Sequence, residues 1–154
     1  MIPAWAGGYV GIPFVDLGRD RDGCDCWGLV RLILAERTGL VLPCWATAYE
    51  SEANRHGVLG LAEEQKSEGP WRRIEPPAER AFDVIEMTQP VRIPSGAGTF
   101  GWGFLAIHAG LVVTPGWLIH VEHATAALVV EYRRLPMRNR VVAFWRHREL
   151  DDAA

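Results

Sequence analysis

No run of the sequence approaches the roughly eighteen consecutive apolar residues that a membrane-spanning helix needs. Residues 1–13 carry neither a basic start nor an apolar block, so no secretory signal is expected there, and synthesis in the cytoplasm without Sec export is the expectation. Cysteine is scarce. Three residues, an odd count, fit a reduced cytoplasmic origin better than a disulfide framework. A basic excess is missing as well: the formal net charge is -3, and phosphate contacts need clustered Lys and Arg, so nucleic acid is not an expected partner. Basic residues do gather late, at Arg133, Arg134, Arg138, Arg140, Arg146 and Arg148, where a solvated or strand-flanking surface is expected.

Tryptophan, by contrast, is plentiful. Seven in 154 residues exceed what a core of this size needs, which makes Trp45, Trp102 and Trp117 candidates for the walls of a ligand groove. The length fits one domain over 1–154, long enough to bury its own core, with no internal repeat.

The chain opens on an irregular arm over 4–23, rich in Gly, Pro and Asp. A helix then follows from Asp25. Trp27, Leu29, Val30, Leu32, Ile33 and Leu34 recur at helical intervals, Asp25 is a suitable N-cap, and Gly39 a suitable stop. Residues 50–67 read as one or two surface helices broken near Gly57 or Gly60, and 71–74 as a short extended piece. Beyond Asp83 the texture is β, with strands expected over 84–87, 105–113, 117–121, 128–132 and 141–145. Thr114-Pro115-Gly116 marks a hairpin turn, and the glycine-rich 96–103 reads as a mobile lid or a plain loop. Helices first and antiparallel strands after predict an α+β domain with helices packed on one face of a sheet.

Cys26 follows the N-cap directly. The first turn of a helix presents backbone N–H groups and a partial positive charge, which together favour a thiolate, the nucleophilic form of cysteine. The same N–H groups can receive the oxyanion formed when sulfur attacks a carbonyl, and Gly28 is expected to leave room for the substrate. Cys24 and Cys44 are expected to be inert, buried thiols.

Of the five histidines, His108 lies in one expected strand and His120 in the next, so a hairpin closed at Pro115-Gly116 sets them roughly across from each other. One imidazole can then deprotonate Cys26 while the second orients the first. His123 is a weaker candidate for the orienting role; His56 and His147 read as surface residues. A zinc site from Cys24, Cys26 and two histidines is disfavoured, because Cys-x-Cys at a helix start aims its thiols apart. No metal or cofactor is expected.

The words Gly23-Cys24-Asp25-Cys26-Trp27-Gly28-Leu29-Val30, His108-Ala109-Gly110-Leu111 and Leu118-Ile119-His120 resemble the NlpC/P60 family of cell-wall cysteine peptidases. That family has a D-C-(S/W/Y)-G-(L/F)-V block at a helix start, an H-(V/A)-G block on a strand and a third polar residue on the following strand. Asp83-Val84-Ile85 resembles its G-D-(L/V)-(V/I) strand, with Phe82 in place of the usual Gly. Trp27, the Gly11-Ile12-Pro13-Phe14 entry and Phe144-Trp145-Arg146-His147 are most similar to members of phage-tail modules and gene-transfer-agent clusters.

The resemblance implies a papain-like fold and a peptidoglycan stem-peptide substrate. It implies Cys26 as nucleophile, His108 as general base and His120 as orienting residue. Tyr9, Phe14, Asp25 and Trp27 would form the oxyanion and substrate side. Phe14 stands where many members have a Tyr, so the oxyanion would rest on the Cys26 N–H alone or with Tyr9. Implied partners are hub or baseplate proteins of a phage-tail-like particle that carries the enzyme to the periplasmic cell wall of a target cell. The alternative is a catalytically weak or inactive assembly part of a tail hub.

Overall fold

The structure is a computed structural model and describes residues 1–44, 63–64 and 66–151. It is mostly sheet, so helices laid on one sheet face describe it only roughly. A 3-10 turn, Ala4–Gly8, opens the chain, and the expected irregular arm contains a two-strand ladder of β1 (Arg19–Asp20) and β2 (Gly23–Cys24). Helix α1 (Cys26–Thr38) follows. The strands after it are β3 (Trp71–Ile74), β4 (Val84–Gly96), β5 (Thr99–Thr114), β6 (Trp117–His120), β7 (Leu128–Glu131) and β8 (Val141–His147). They form one antiparallel six-stranded sheet in the order β3-β8-β4-β5-β6-β7.

Both ends of α1 follow from the sequence. The Asp25 carboxylate accepts the Gly28 N–H at 2.7 Å, and Gly39, at φ 78°, donates to the Ala35 carbonyl. Leu29, Val30, Ile33 and Leu34 are buried and pack with Val84, Leu111, Val113 and Ile119 in the larger apolar cluster. Because side chains alternate along a strand, the other sheet face carries the second cluster, in which Ile85, Met87, Val112 and Leu118 meet Tyr132 and Phe144.

The region 96–103 is neither lid nor irregular loop: β4 and β5 continue through it as one long hairpin, turning at Gly96 and Gly98, both at positive φ. Phe100, Trp102 and Phe104 stand exposed on this arm. Trp117 is half-buried on β6, and Trp45 lies outside the described residues, as do His56 and most of the helices expected over 50–67.

Several expected surface groups are internal. Arg146 forms a two-pronged ion pair with Asp83, both oxygens at 2.7 Å, and this ties the start of β4 to β8. His147 is buried edge-on against Trp71, with ring centroids 5.0 Å apart. Phe82 holds φ 73°, the left-handed region that favours glycine, and it stacks on Trp5 at 5.1 Å.

Candidate active site

Asp25 is a structural pillar of the site. It is 1% exposed, it caps α1, and Arg19 Nη1 lies 2.7 Å from its Oδ1. Gly28 is required by packing: a Cβ there would meet the Gly18 carbonyl oxygen at 2.0 Å. The space expected for substrate is filled by the protein's own backbone.

Cys26 is buried at the first position of α1 and belongs to neither apolar cluster. The chain ahead of it is fastened to the loop that follows β6. Phe14 bridges to Cys24, and the Phe14 N–H donates to the Thr125 carbonyl at 2.9 Å. The thiol end of α1 is thereby tied to the segment just beyond His120. Cys24 is inert, as expected: it is fully buried, its thiol donates to the Asp20 carbonyl at 3.0 Å, and burial with the nearby Asp25 and Asp20 pushes its pKa up to about 11. Cys44 departs from expectation, being exposed.

The two imidazoles meet. His108 Nε2 and His120 Nδ1 are 2.9 Å apart in a buried hydrogen bond, with ring planes at 73°. They are not directly opposite. The pairing Leu111↔Ile119, carried one step further, puts Gly110 opposite His120 and makes His108 its diagonal neighbour. Alternation turns both rings toward the face of Met87 and Val112, away from the apolar stripe of α1.

Burial, then His120, then Arg140 hold the His108 pKa well below the ordinary histidine value. That of His120 is also lowered, by burial first, with Glu122 pulling upward and Arg140 downward. The pair is neutral at pH 7. One proton sits in the shared bond. If His120 donated it, His108 would carry its own proton on Nδ1, which is buried and has no hydrogen-bond partner among the described residues. An orphaned buried N–H is costly. The network thus assigns Nε2–H to His108 and leaves its Nδ1 lone pair open to accept a proton.

The remaining expected site residues are engaged elsewhere. The Tyr9 hydroxyl donates to Glu36 at 2.8 Å, far down α1 from Cys26. The Phe14 ring lies 5.3 Å from that of His123, an exposed residue of the loop after β6. Trp27 Nε1 donates to the Pro43 carbonyl at 3.3 Å, and the ring meets Trp71 edge-on.

Two residues were not foreseen. Glu122 Oε1 lies 4.0 Å from His108 Nε2 and 3.9 Å from His120 Nδ1. Arg140 Nη2 lies 2.5 Å from the same oxygen, an ion contact without hydrogen-bond angles. The spacing His120-x-Glu122, which puts both on one side of an extended segment, was the available signal for Glu122; nothing in the sequence pointed to Arg140.

No family model matches the chain, and no curated protein is significantly similar to it. Solved structures are similar. The NlpC/p60 domain of the peptidoglycan hydrolase SagA superposes with a TM-score of 0.54 at 20% identity, over 92% of each chain. A lipoprotein-like protein of the NLP/P60 family from Staphylococcus aureus superposes with a TM-score of 0.55 at 17% identity, over 92% of this chain and 38% of that one. The chain thus carries the fold of NlpC/P60 domains, built on one capped helix and an antiparallel sheet.

Proposed function

We propose that the protein is a cysteine peptidase that cuts a peptide bond in the stem peptide of peptidoglycan. Its reaction is thiol attack with an imidazole base. His108 Nδ1 takes the Cys26 thiol proton, and the thiolate adds to the scissile carbonyl carbon. The oxyanion is received at the N-terminal end of α1 by the Cys26 backbone N–H. His108 returns its proton to the departing amine as the C–N bond breaks. Water, deprotonated by His108, then releases the acyl group and restores the thiol. His120 fixes the His108 ring throughout.

The observation that carries this reading is the buried 2.9 Å contact between His108 Nε2 and His120 Nδ1 beside an unpartnered His108 Nδ1; with the shared proton on His108 Nε2, that Nδ1 is open to accept a proton. The fold likeness to NlpC/P60 domains, one of them from a peptidoglycan hydrolase, supports the substrate class. Carriage on a phage-tail-like particle, with hub proteins as partners and the periplasmic cell wall as the place of action, is part of the proposal. It rests on the resemblance of Gly11 to Phe14, Trp27 and Phe144 to His147 to particle-borne members.

The test is mass spectrometry of purified peptidoglycan digested by the wild type and by Cys26→Ala. New stem-peptide termini from the wild type alone are expected. Identical fragment patterns would overturn the reading. A second reading, an assembly part with little chemistry left, draws on Phe14 lacking a hydroxyl and on Tyr9 being committed to Glu36. It requires that particles carrying Cys26→Ser assemble and infect like wild type.

A further inference from the structure

Glu122 stands beside the bond that joins the two imidazoles. Its Oε1 is nearly equidistant, at 4.0 and 3.9 Å, from the two nitrogens that share that proton. These distances are too long for hydrogen bonds, so the carboxylate acts on the pair through its charge. Arg140 keeps it there. Its Nη2 contacts Glu122 Oε1 at 2.5 Å, and its Nε donates to the Thr88 carbonyl of β4 at 3.0 Å, so the guanidinium is anchored to the strand beside β5. Glu122 lies two residues past His120, the last residue of β6, and its carboxylate reaches back beside the pair.

We propose that Glu122, clamped by Arg140, is a positioning residue of the hydrolytic site that stabilises positive charge on the His108–His120 pair while the pair holds the proton taken from the thiol. This rests on the cysteine-peptidase reading. Charge on a buried imidazole pair is opposed by desolvation and by the Arg140 cation, and Glu122 is the anion that offsets them. Among the described residues Met87, which carries no charge, stands opposite His108 on β4, and in the proposed reaction the thiolate left on Cys26 is a second counter-charge to the protonated pair. The Glu122 side chain is 37% exposed, so solvent weakens its effect, whereas Arg140 is 17% exposed. The two charges pull the imidazole pair in opposite directions.

The test uses the full chain carrying Glu122→Gln or Arg140→Met. Histidine ring titrations are followed by NMR alongside the pH profile of peptidoglycan hydrolysis. The Gln variant is expected to move the titration of the His108–His120 pair to lower pH by roughly half a unit to one unit, and the Met variant to move it upward by a similar amount. The titration of His147 should stay where it is. The acid limb of the hydrolysis profile should follow in the same directions, with kcat of the Gln variant reduced and KM unchanged. Unmoved ring titrations in a folded Glu122→Gln protein, with wild-type hydrolysis intact, overturn the role of Glu122 alone. Absence of hydrolysis by the wild type overturns the peptidase reading and this role with it. Should Arg140→Met not fold, Arg140→Lys keeps the charge and is expected to leave the titration in place; a shift there also overturns the proposal.

Discussion

His108 and His120 share one proton across 2.9 Å, from strands joined by a tight turn, and neither ring has room to take up a charge cheaply. In the proposed reaction the pair is the proton acceptor, held neutral until the thiol gives up its proton. It also makes the fold sensitive to acid.

In the unfolded chain these histidines bind protons as pH falls through about 6.5. In the folded chain His108, His120 and His147 all titrate below that value, chiefly because they are buried. The unfolded state therefore holds more protons just below pH 6.5, and stability falls as pH drops through that point. Each such group adds at most about 1.4 kcal/mol per pH unit to the slope. Urea midpoints measured between pH 7.5 and 5 should decline in the wild type and decline less steeply in His108→Leu. Equal slopes for the two proteins would sink this account.

Two of the three thiols, Cys24 and Cys44, should separate by reactivity. With its pKa near 11, Cys24 is about one part in a thousand thiolate at pH 8. It is also fully buried, while Cys44 is exposed. Brief iodoacetamide treatment of the folded protein at pH 8, read by peptide mass spectrometry, should therefore label Cys44 and spare Cys24. Comparable labelling of both would show that the β2 region opens far more readily than its packing implies.

The helix and its two ends were largely legible in the sequence, because their signals are local. Asp25 and Gly39 mark their own positions, and the apolar spacing between them sets the buried face. Likewise His108 and His120 could be paired from the turn at Pro115-Gly116, although a register offset makes them diagonal neighbours rather than opposite ones. Relationships set by distant segments were not legible. Gly28 reads as space for a ligand until the Gly18 carbonyl is seen to fill it. Arg146 and Arg140 read as surface charges until Asp83 and Glu122 arrive from distant segments. The arm of β4 and β5 read as a loop because its glycines mask a ladder sustained by cross-strand pairing. Tyr9 read as an oxyanion donor because nothing local shows that Glu36 takes its hydroxyl.

Phe82 offers a test of the backbone itself. At φ 73° a residue with a β-carbon costs about 1–2 kcal/mol, which glycine avoids. The phenyl ring offsets that cost by stacking on Trp5 with planes at 24°, a contact worth about 0.5–1.5 kcal/mol beyond the area it buries. Removing the ring while keeping the β-carbon, in Phe82→Ala, leaves the backbone cost and loses the stack. Phe82→Gly loses the same stack but relieves the backbone, at the expense of a more flexible unfolded chain. The Gly variant should therefore be the more stable of the two by about 1 kcal/mol, although both fall below wild type. Urea unfolding of the three proteins, with Trp5→Ala as a check on the stack, measures this. An Ala variant as stable as the Gly variant would mean that residue 82 relaxes out of the left-handed region once the ring is gone.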